Sequence, residues 1–288
     1  MSVPTVMSES RLTRRFEALR QARRAGLITY AMAGDPETGT GRHLLESLPA
    51  AGADIIELGM PFSDPMADGV AIQRAGQRAL AAGQTLARTL EDVRAFRRHD
   101  DDTPIVLMGY LNPIQRFGET RFLEAAADAG VDGLILVDLP PEHGAALTAQ
   151  ARDLGLARIP LVAPTTPPAR LPTLLAQGNG FVYRIAYNGV TGGQRPSTEK
   201  VLEKGLEPGR DSEPENALAA GIAHLRQQTP LPVAVGFGVR DAATAGAVAR
   251  QADAVVVGSA LVEALETGGV EGALALTRTL AAAIAEAR

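Results

Sequence analysis

Eight short apolar runs, spread through the whole chain, constrain this sequence more than any other feature. They are Leu27–Met32, Asp54–Leu58, Ile105–Met108, Gly133–Val137, Ile159–Val162, Phe181–Ile185, Pro232–Val235 and Ala254–Val257. Each is four to six residues long and rich in Val, Ile and Leu, as expected of strands buried on both faces of a parallel sheet. The stretches between them carry helix signals. Thr85 is placed as an N-cap before Leu86, Leu90, Val93 and Phe96, and Ser212-Glu213-Pro214-Glu215 has a capping-box pattern leading into Leu218, Ile222 and Leu225. Eight strands alternating with helices predict an α/β fold, a (β/α)8 TIM barrel. A doubly wound open sheet is the competitor, but no G-x-G-x-x-G follows the first strand. The 288 residues suit one barrel, which needs about 250. No linker or composition shift divides the chain, so residues 1–288 are read as a single barrel domain.

Two segments lie outside the repeating pattern. Leu12, Phe16 and Leu19 stand at i, i+4 and i+7, which predicts an extra amphipathic N-terminal helix rather than the apolar core of a signal peptide. After the sixth run, the stretch from Gly192 to Asp211 is polar and broken by Pro196, Pro208 and several glycines. It reads as an extended loop, either a functional lid or a disordered insertion. No apolar run approaches the length of a membrane span, and the expected location is cytoplasmic.

Composition removes several chemistries. With no cysteine there is no disulfide, thiolate metal site or cysteine nucleophile. The only lysines, Lys200 and Lys204, fall in the polar loop, where neither offers the buried amine of a Schiff-base mechanism. His43, His99, His143 and His224 are scattered and no H-E-x-x-H occurs, so no metal is expected. A net charge of −5 without a long basic run argues against nucleic acid as the main partner.

In a barrel of this kind the active site lies at the C-terminal ends of the strands. Glu57 falls near the end of the second run, among Ile55, Ile56 and Leu58. A carboxylate there is costly to bury ionised, so its pKa should rise toward the range useful for general acid–base work; the alternative is a glutamate held in a structural hydrogen bond. The loop that follows, Pro61-Phe62-Ser63-Asp64-Pro65-Met66-Ala67-Asp68-Gly69, adds two carboxylates on a proline-restricted backbone able to close over a substrate. Turn or N-cap chemistry would also account for Asp64 and Asp68. Late in the chain, Gly189-Val190-Thr191-Gly192, Gly236-Phe237-Gly238 and Gly258-Ser259 follow the last three runs. Together they suit a phosphate monoester held by backbone N–H groups and a helix N-terminus.

These segments, with Ala33-Gly34-Asp35-Pro36, Ile72-Gln73, Met108-Gly109-Tyr110-Leu111-Asn112-Pro113-Ile114, Val137-Asp138-Leu139-Pro140 and Ala163-Pro164-Thr165-Thr166-Pro167, resemble the tryptophan synthase alpha chain family over nearly the whole length. The most specific is Glu57 through Gly69. The resemblance implies retro-aldol cleavage of indole-3-glycerol phosphate to indole and glyceraldehyde 3-phosphate, in tryptophan biosynthesis. It implies no cofactor in this chain, and a beta-chain partner carrying pyridoxal phosphate in an alpha2beta2 heterotetramer. By resemblance Glu57 is the catalytic acid–base and Asp68 the carboxylate on the indole N–H. Tyr183, Tyr30, Tyr110 and Phe237 match pocket-lining positions, Asp138 a supporting carboxylate, and Gly192, Gly238, Gly258 and Ser259 the phosphate cradle. Pro61 and Asp64 match the part of the loop that meets the beta chain.

The sequence departs from the family pattern at three places. Ala186 stands where a serine is common, Arg184 lies within a buried run, and the loop over residues 193–211 is longer than the family norm by on the order of 15 residues, against about 3.6 residues per helical turn. The alternatives are a free-standing lyase that releases indole, a weakly active subunit that mainly activates a beta chain, and another phosphate-binding barrel enzyme such as a sugar-phosphate isomerase or aldolase.

Overall fold

The computed structural model describes residues 9–185, 215–236 and 238–287. Gly192, Phe237, Ala186, the loop 193–211, both lysines and the capping-box serine, Ser212, lie outside the described residues. Helix α1 (Arg11–Gln21) leads into β1 (Gly26–Met32), α2 (Thr38–Ser47), β2 (Ile55–Gly59), α3 (Val70–Ala81) and α4 (Leu86–Arg97). Next come β3 (Ile105–Gly109), α5 (Leu111–Phe117), α6 (Glu119–Ala129), β4 (Gly133–Leu136), α7 (Pro141–Asp153), β5 (Ala157–Arg158) and β6 (Leu161–Val162). The chain continues through α8 (Leu171–Gln177), β7 (Val182–Ile185), α9 (Glu215–Gln228), β8 (Val233–Gly236), α10 (Ala242–Ala249), β9 (Ala254–Val257) and α11 (Ser259–Ala285). Thr85 caps α4 as expected, its side chain accepting from the Arg88 N–H.

The strands form one parallel sheet in the order β5-β4-β3-β2-β1-β9-β8-β7-β6. Its two end strands are halves of one barrel stave, the expected fifth strand, split at Pro160. Proline has no N–H to give the ladder, so the regular pattern breaks there. The stave still joins both neighbours: the Ile159 N–H donates to Leu134 O at 3.0 Å, and Pro160 O accepts from the Tyr183 N–H at 3.0 Å. The sheet therefore closes, and the eight expected strands appear as nine segments.

Alternation along each strand separates two cores. Ile28, Ile55, Val106, Ile135, Ala234 and Ala254 point inward, and Leu12, Phe16 and Leu19 of α1 pack against this interior set. Leu19 lies against Gly26, at the start of β1, so the extra helix plugs the end of the barrel where the strands begin. The outward set packs under the surrounding helices.

At that same end an aspartate repeats just ahead of three strands. Asp54 accepts the Leu27 N–H at 2.9 Å, Asp132 the Ile105 N–H at 2.8 Å and Asp253 the Val233 N–H at 2.9 Å. Each latches its strand to the neighbouring one and is answered by arginine: Arg24 on Asp54, Arg97 and Arg11 on Asp132, and Arg226 on Asp253.

Candidate active site

The opposite end, where the strands finish, gathers the carboxylates. Ile55 faces the barrel interior, so Glu57, two residues on, shares that face one step nearer the mouth. It is 2 % exposed, and its Oε2 has no hydrogen-bond partner among the described residues. Burial, with the Asp68 charge second, pushes its carboxyl up to about 8. A structural glutamate would have its oxygens satisfied; this one is left neutral near pH 7 with an oxygen facing no partner.

Asp68 sits on the loop after β2 and is 8 % exposed. Burial lifts it to about 6, opposed by a hydrogen bond from Tyr110. The loop is pinned from three directions. The Tyr110 hydroxyl accepts the Ala67 N–H at 2.9 Å, the Phe62 ring packs on the Tyr110 ring at 5.4 Å, and the Gln73 amide donates to Asp68 O at 2.8 Å. Asp68 is not the N-cap of α3, which is Gly69, so capping does not account for it. Asp64 differs: it is exposed, and its carboxylate accepts from the Ser63 hydroxyl at 2.5 Å. Pro61 is half-buried beside it.

Three tyrosines surround the pair. Tyr30 stands opposite Glu57 in the β1–β2 register. Burial first, then the charges of Asp68 and Glu57, hold its phenol well above the ordinary value. Tyr183 is likewise raised by burial and by Glu57. Tyr110 is raised mainly by burial. Asp138, just past β4, acts on Tyr110 through its charge, and its Oδ1 accepts the Leu111 N–H at 2.8 Å and so fixes the residue next to Tyr110.

Two glycines make room for these rings. A Cβ on Gly59 would stand 2.7 Å from Cζ of Tyr30, and one on Gly236 would stand 2.5 Å from the Tyr183 hydroxyl. Gly236 thus leaves room for the Tyr183 ring. Neither this role nor that of Gln73 was read from the sequence. The signal available was glycine in a buried strand, which marks close approach.

The third side of the mouth is the start of α11. Gly258 is its N-cap with no side-chain capping bond; it and Ser259 are half-buried. Gly238 is exposed, with a φ of +42° that disfavours other residues. Arg184, by contrast, faces out of the barrel, its guanidinium lying against Gly221 of α9.

Residues 16–286 match the family model of the tryptophan synthase alpha chain. The chain is 35 % identical to tryptophan synthase subunit alpha of Legionella pneumophila, covering 96 % of this chain and 99 % of that one with a TM-score of 0.83. A chain of Mycobacterium tuberculosis tryptophan synthase is 36 % identical over 96 % of this chain and 99 % of its own, with a TM-score of 0.84. A solved structure from Aquifex aeolicus is 31 % identical, covering 96 % of this chain and 99 % of that one, with a TM-score of 0.81. With a closed parallel barrel and a buried carboxylate pair at its mouth, this chain belongs to the tryptophan synthase alpha chain family, the lyases that cleave indole-3-glycerol phosphate to indole and glyceraldehyde 3-phosphate in tryptophan biosynthesis.

Proposed function

We propose that Glu57 and Asp68 divide the cleavage between them. Indole leaves only after its C3 is protonated, and the glycerol hydroxyl must lose a proton as the carbon–carbon bond breaks. Neutral Glu57 donates to C3; as carboxylate it then takes the hydroxyl proton and ends in its starting state. Asp68, ionised above about 6, accepts the indole N–H and offsets the positive charge that grows on the ring. Tyr30, Tyr110, Tyr183 and Phe237 line the indole pocket, with Asp138 holding Tyr110 in place. Gly192, Gly238, Gly258 and Ser259 receive the phosphate, at a helix end whose N–H groups no side chain caps. The observation that carries the reading is the buried, unpartnered Oε2 of Glu57 beside a second buried carboxylate.

The same reading makes the chain one barrel domain over residues 1–288, cytoplasmic, free of metal and cofactor, and partnered by a pyridoxal-phosphate beta chain in an alpha2beta2 heterotetramer. Support for the partner comes from the loop beside Pro61 and Asp64. Met66 is 77 % exposed and Val70 65 %, large apolar side chains at a position that suits a protein contact.

The test is indole release from indole-3-glycerol phosphate with and without a beta chain. Release that rises with the beta chain and nearly vanishes in Glu57→Gln and Asp68→Asn is expected. Equal release without the partner would favour a free-standing lyase. Unchanged turnover in either variant removes that residue from its role.

A further inference from the structure

A cavity of about 330 Å³ lies between α7, α8 and the split fifth stave, bordered by Val137, Asp138, Leu139 and Pro140 just past the end of β4. Its walls include Leu136, Leu139, Leu174 and Thr148, and Arg158 reaches into it from the stave. The two helices flank the cavity. They are tethered at the rim by Arg170 on Glu142, at 3.0 and 2.9 Å, and by the Gln177 amide on Pro141 O at 3.0 Å. Gly144 keeps the α7 wall thin, since a Cβ there would stand 3.2 Å from Cγ of Leu139.

The guanidinium of Arg158 is the unusual element. Its hydrogen bonds go to carbonyl oxygens, those of Leu134, Ile159, Leu136 and Leu139, at 3.5, 3.4, 3.2 and 3.1 Å. No carboxylate bonds to it among the described residues. Asp138 is near enough to act on it electrostatically, but the Asp138 Oδ1 is committed to the Leu111 N–H. Two other charged side chains line the cavity: Asp138 itself, and Arg170, which already has its counter-ion in Glu142. Cations withdrawn from water are normally answered by a bonded anion; the half-buried Arg158 lacks one among the described residues, and desolvation holds it down to about 10.

We propose that this groove is a binding site for a small apolar carboxylate, separate from the catalytic mouth. A guanidinium matches a carboxylate through two parallel N–H···O bonds, and the leucines accept a compact apolar body. The volume lies at the lower end of small-molecule sites, about 300–1,000 Å³, which suits a single-ring acid. A phosphate dianion is disfavoured, because four carbonyl oxygens already surround the one cation available and would repel a second negative charge.

The probe is 4-bromobenzoate. Crystals of the full chain soaked in it should show an anomalous bromine peak among Leu139 and Leu174, with the carboxylate on Arg158. In solution, binding should be saturable, unaffected by saturating glycerol 3-phosphate at the barrel mouth, and at least tenfold weaker in Arg158→Met. Leu174→Trp, which fills the cavity and leaves Arg158 in place, should abolish it, and serves if Arg158→Met does not fold. A bromine peak confined to the mouth, no peak at all, or binding unchanged by either variant overturns the proposal.

Discussion

Replacing Glu57 by glutamine should stabilise the protein while destroying its activity, and the gain should depend on pH in a defined way. Folding moves the Glu57 carboxyl from its ordinary 4.5 to about 8. The folded state therefore holds this proton to higher pH than the unfolded chain does, and stability falls as pH climbs from about 4.5 to about 8. At about 1.36 kcal/mol per pK unit, the full cost of keeping this carboxylate buried is roughly 5 kcal/mol above pH 8. The same linkage gives about 3 kcal/mol near pH 7, where the folded group is still mostly protonated, and about 1 kcal/mol near pH 5. Glutamine is neutral in both states and removes the whole dependence. Urea unfolding of the two proteins at about pH 5, 7 and 9 measures it as the difference in extrapolated stability. The Glu57→Gln advantage should grow with a slope of about 1.4 kcal/mol per pH unit through the middle of this range and then level off. A stability difference that stays flat with pH would mean the carboxylate is solvated or paired in the folded state, and the acid–base argument would lose its foundation.

Three further outcomes follow from the same geometry. Because Asp68 must be ionised and Glu57 protonated, indole release under conditions where chemistry limits the rate should be bell-shaped, rising through about 6 and falling through about 8; a flat profile across that range contradicts the assignment. Asp132→Ala leaves Arg97 and the Ile105 N–H without their carboxylate, and should destabilise the chain by about 3–5 kcal/mol with the turnover of the folded fraction unchanged; a marginal loss in thermal or urea unfolding would show the latch to be ornamental. Gly59→Ala drives a Cβ into the Tyr30 ring and should cost about 1–3 kcal/mol together with much of the turnover. Adding Tyr30→Phe should return part of the lost stability, and additive effects in that double-mutant cycle would show that the two side chains do not meet.

The parts of the molecule legible in the sequence are those where one residue type has one physical use. Runs of Val, Ile and Leu longer than a turn yet shorter than a helix mark buried strands, and all eight expected staves are found. The fifth was legible in place but not in form, because the interruption comes from a single missing N–H, at Pro160, within an otherwise ordinary strand. Glu57 was legible because a carboxylate inside such a run must be answered by a partner or by a function. Asp138 was harder. Its use is a backbone bond to Leu111, 27 residues earlier in the chain, and nothing local to it announces that distance. The packing roles of Gly59 and Gly236 were out of reach for the same reason: what occupies the space above each is a ring carried by another strand. The aspartates ahead of β2, β4 and β9 recur in like positions, but the arginines that answer them come from different elements, so only the fold makes the repetition visible.

Those aspartates and the catalytic pair show how one barrel treats the same functional group in two ways. At the end where the strands begin, Asp54, Asp132 and Asp253 are each given a backbone N–H and an arginine, and so bind elements together. At the mouth, no arginine is bonded to Glu57 or Asp68 among the described residues. Their burial is compensated only by a tyrosine hydrogen bond to Asp68. Burial raises both carboxyls, and raises them unequally, because Glu57 is more deeply buried and feels the Asp68 charge as well. The inequality supports the proposed roles: the higher-lying group keeps a proton to give, and the lower-lying one is free to accept the indole N–H. An arginine introduced within reach of Glu57 would stabilise the fold and lower its carboxyl, leaving no acid at the position where C3 must be protonated. On the proposed reading, the cost of burying these carboxyls at the mouth is thus a condition of the chemistry.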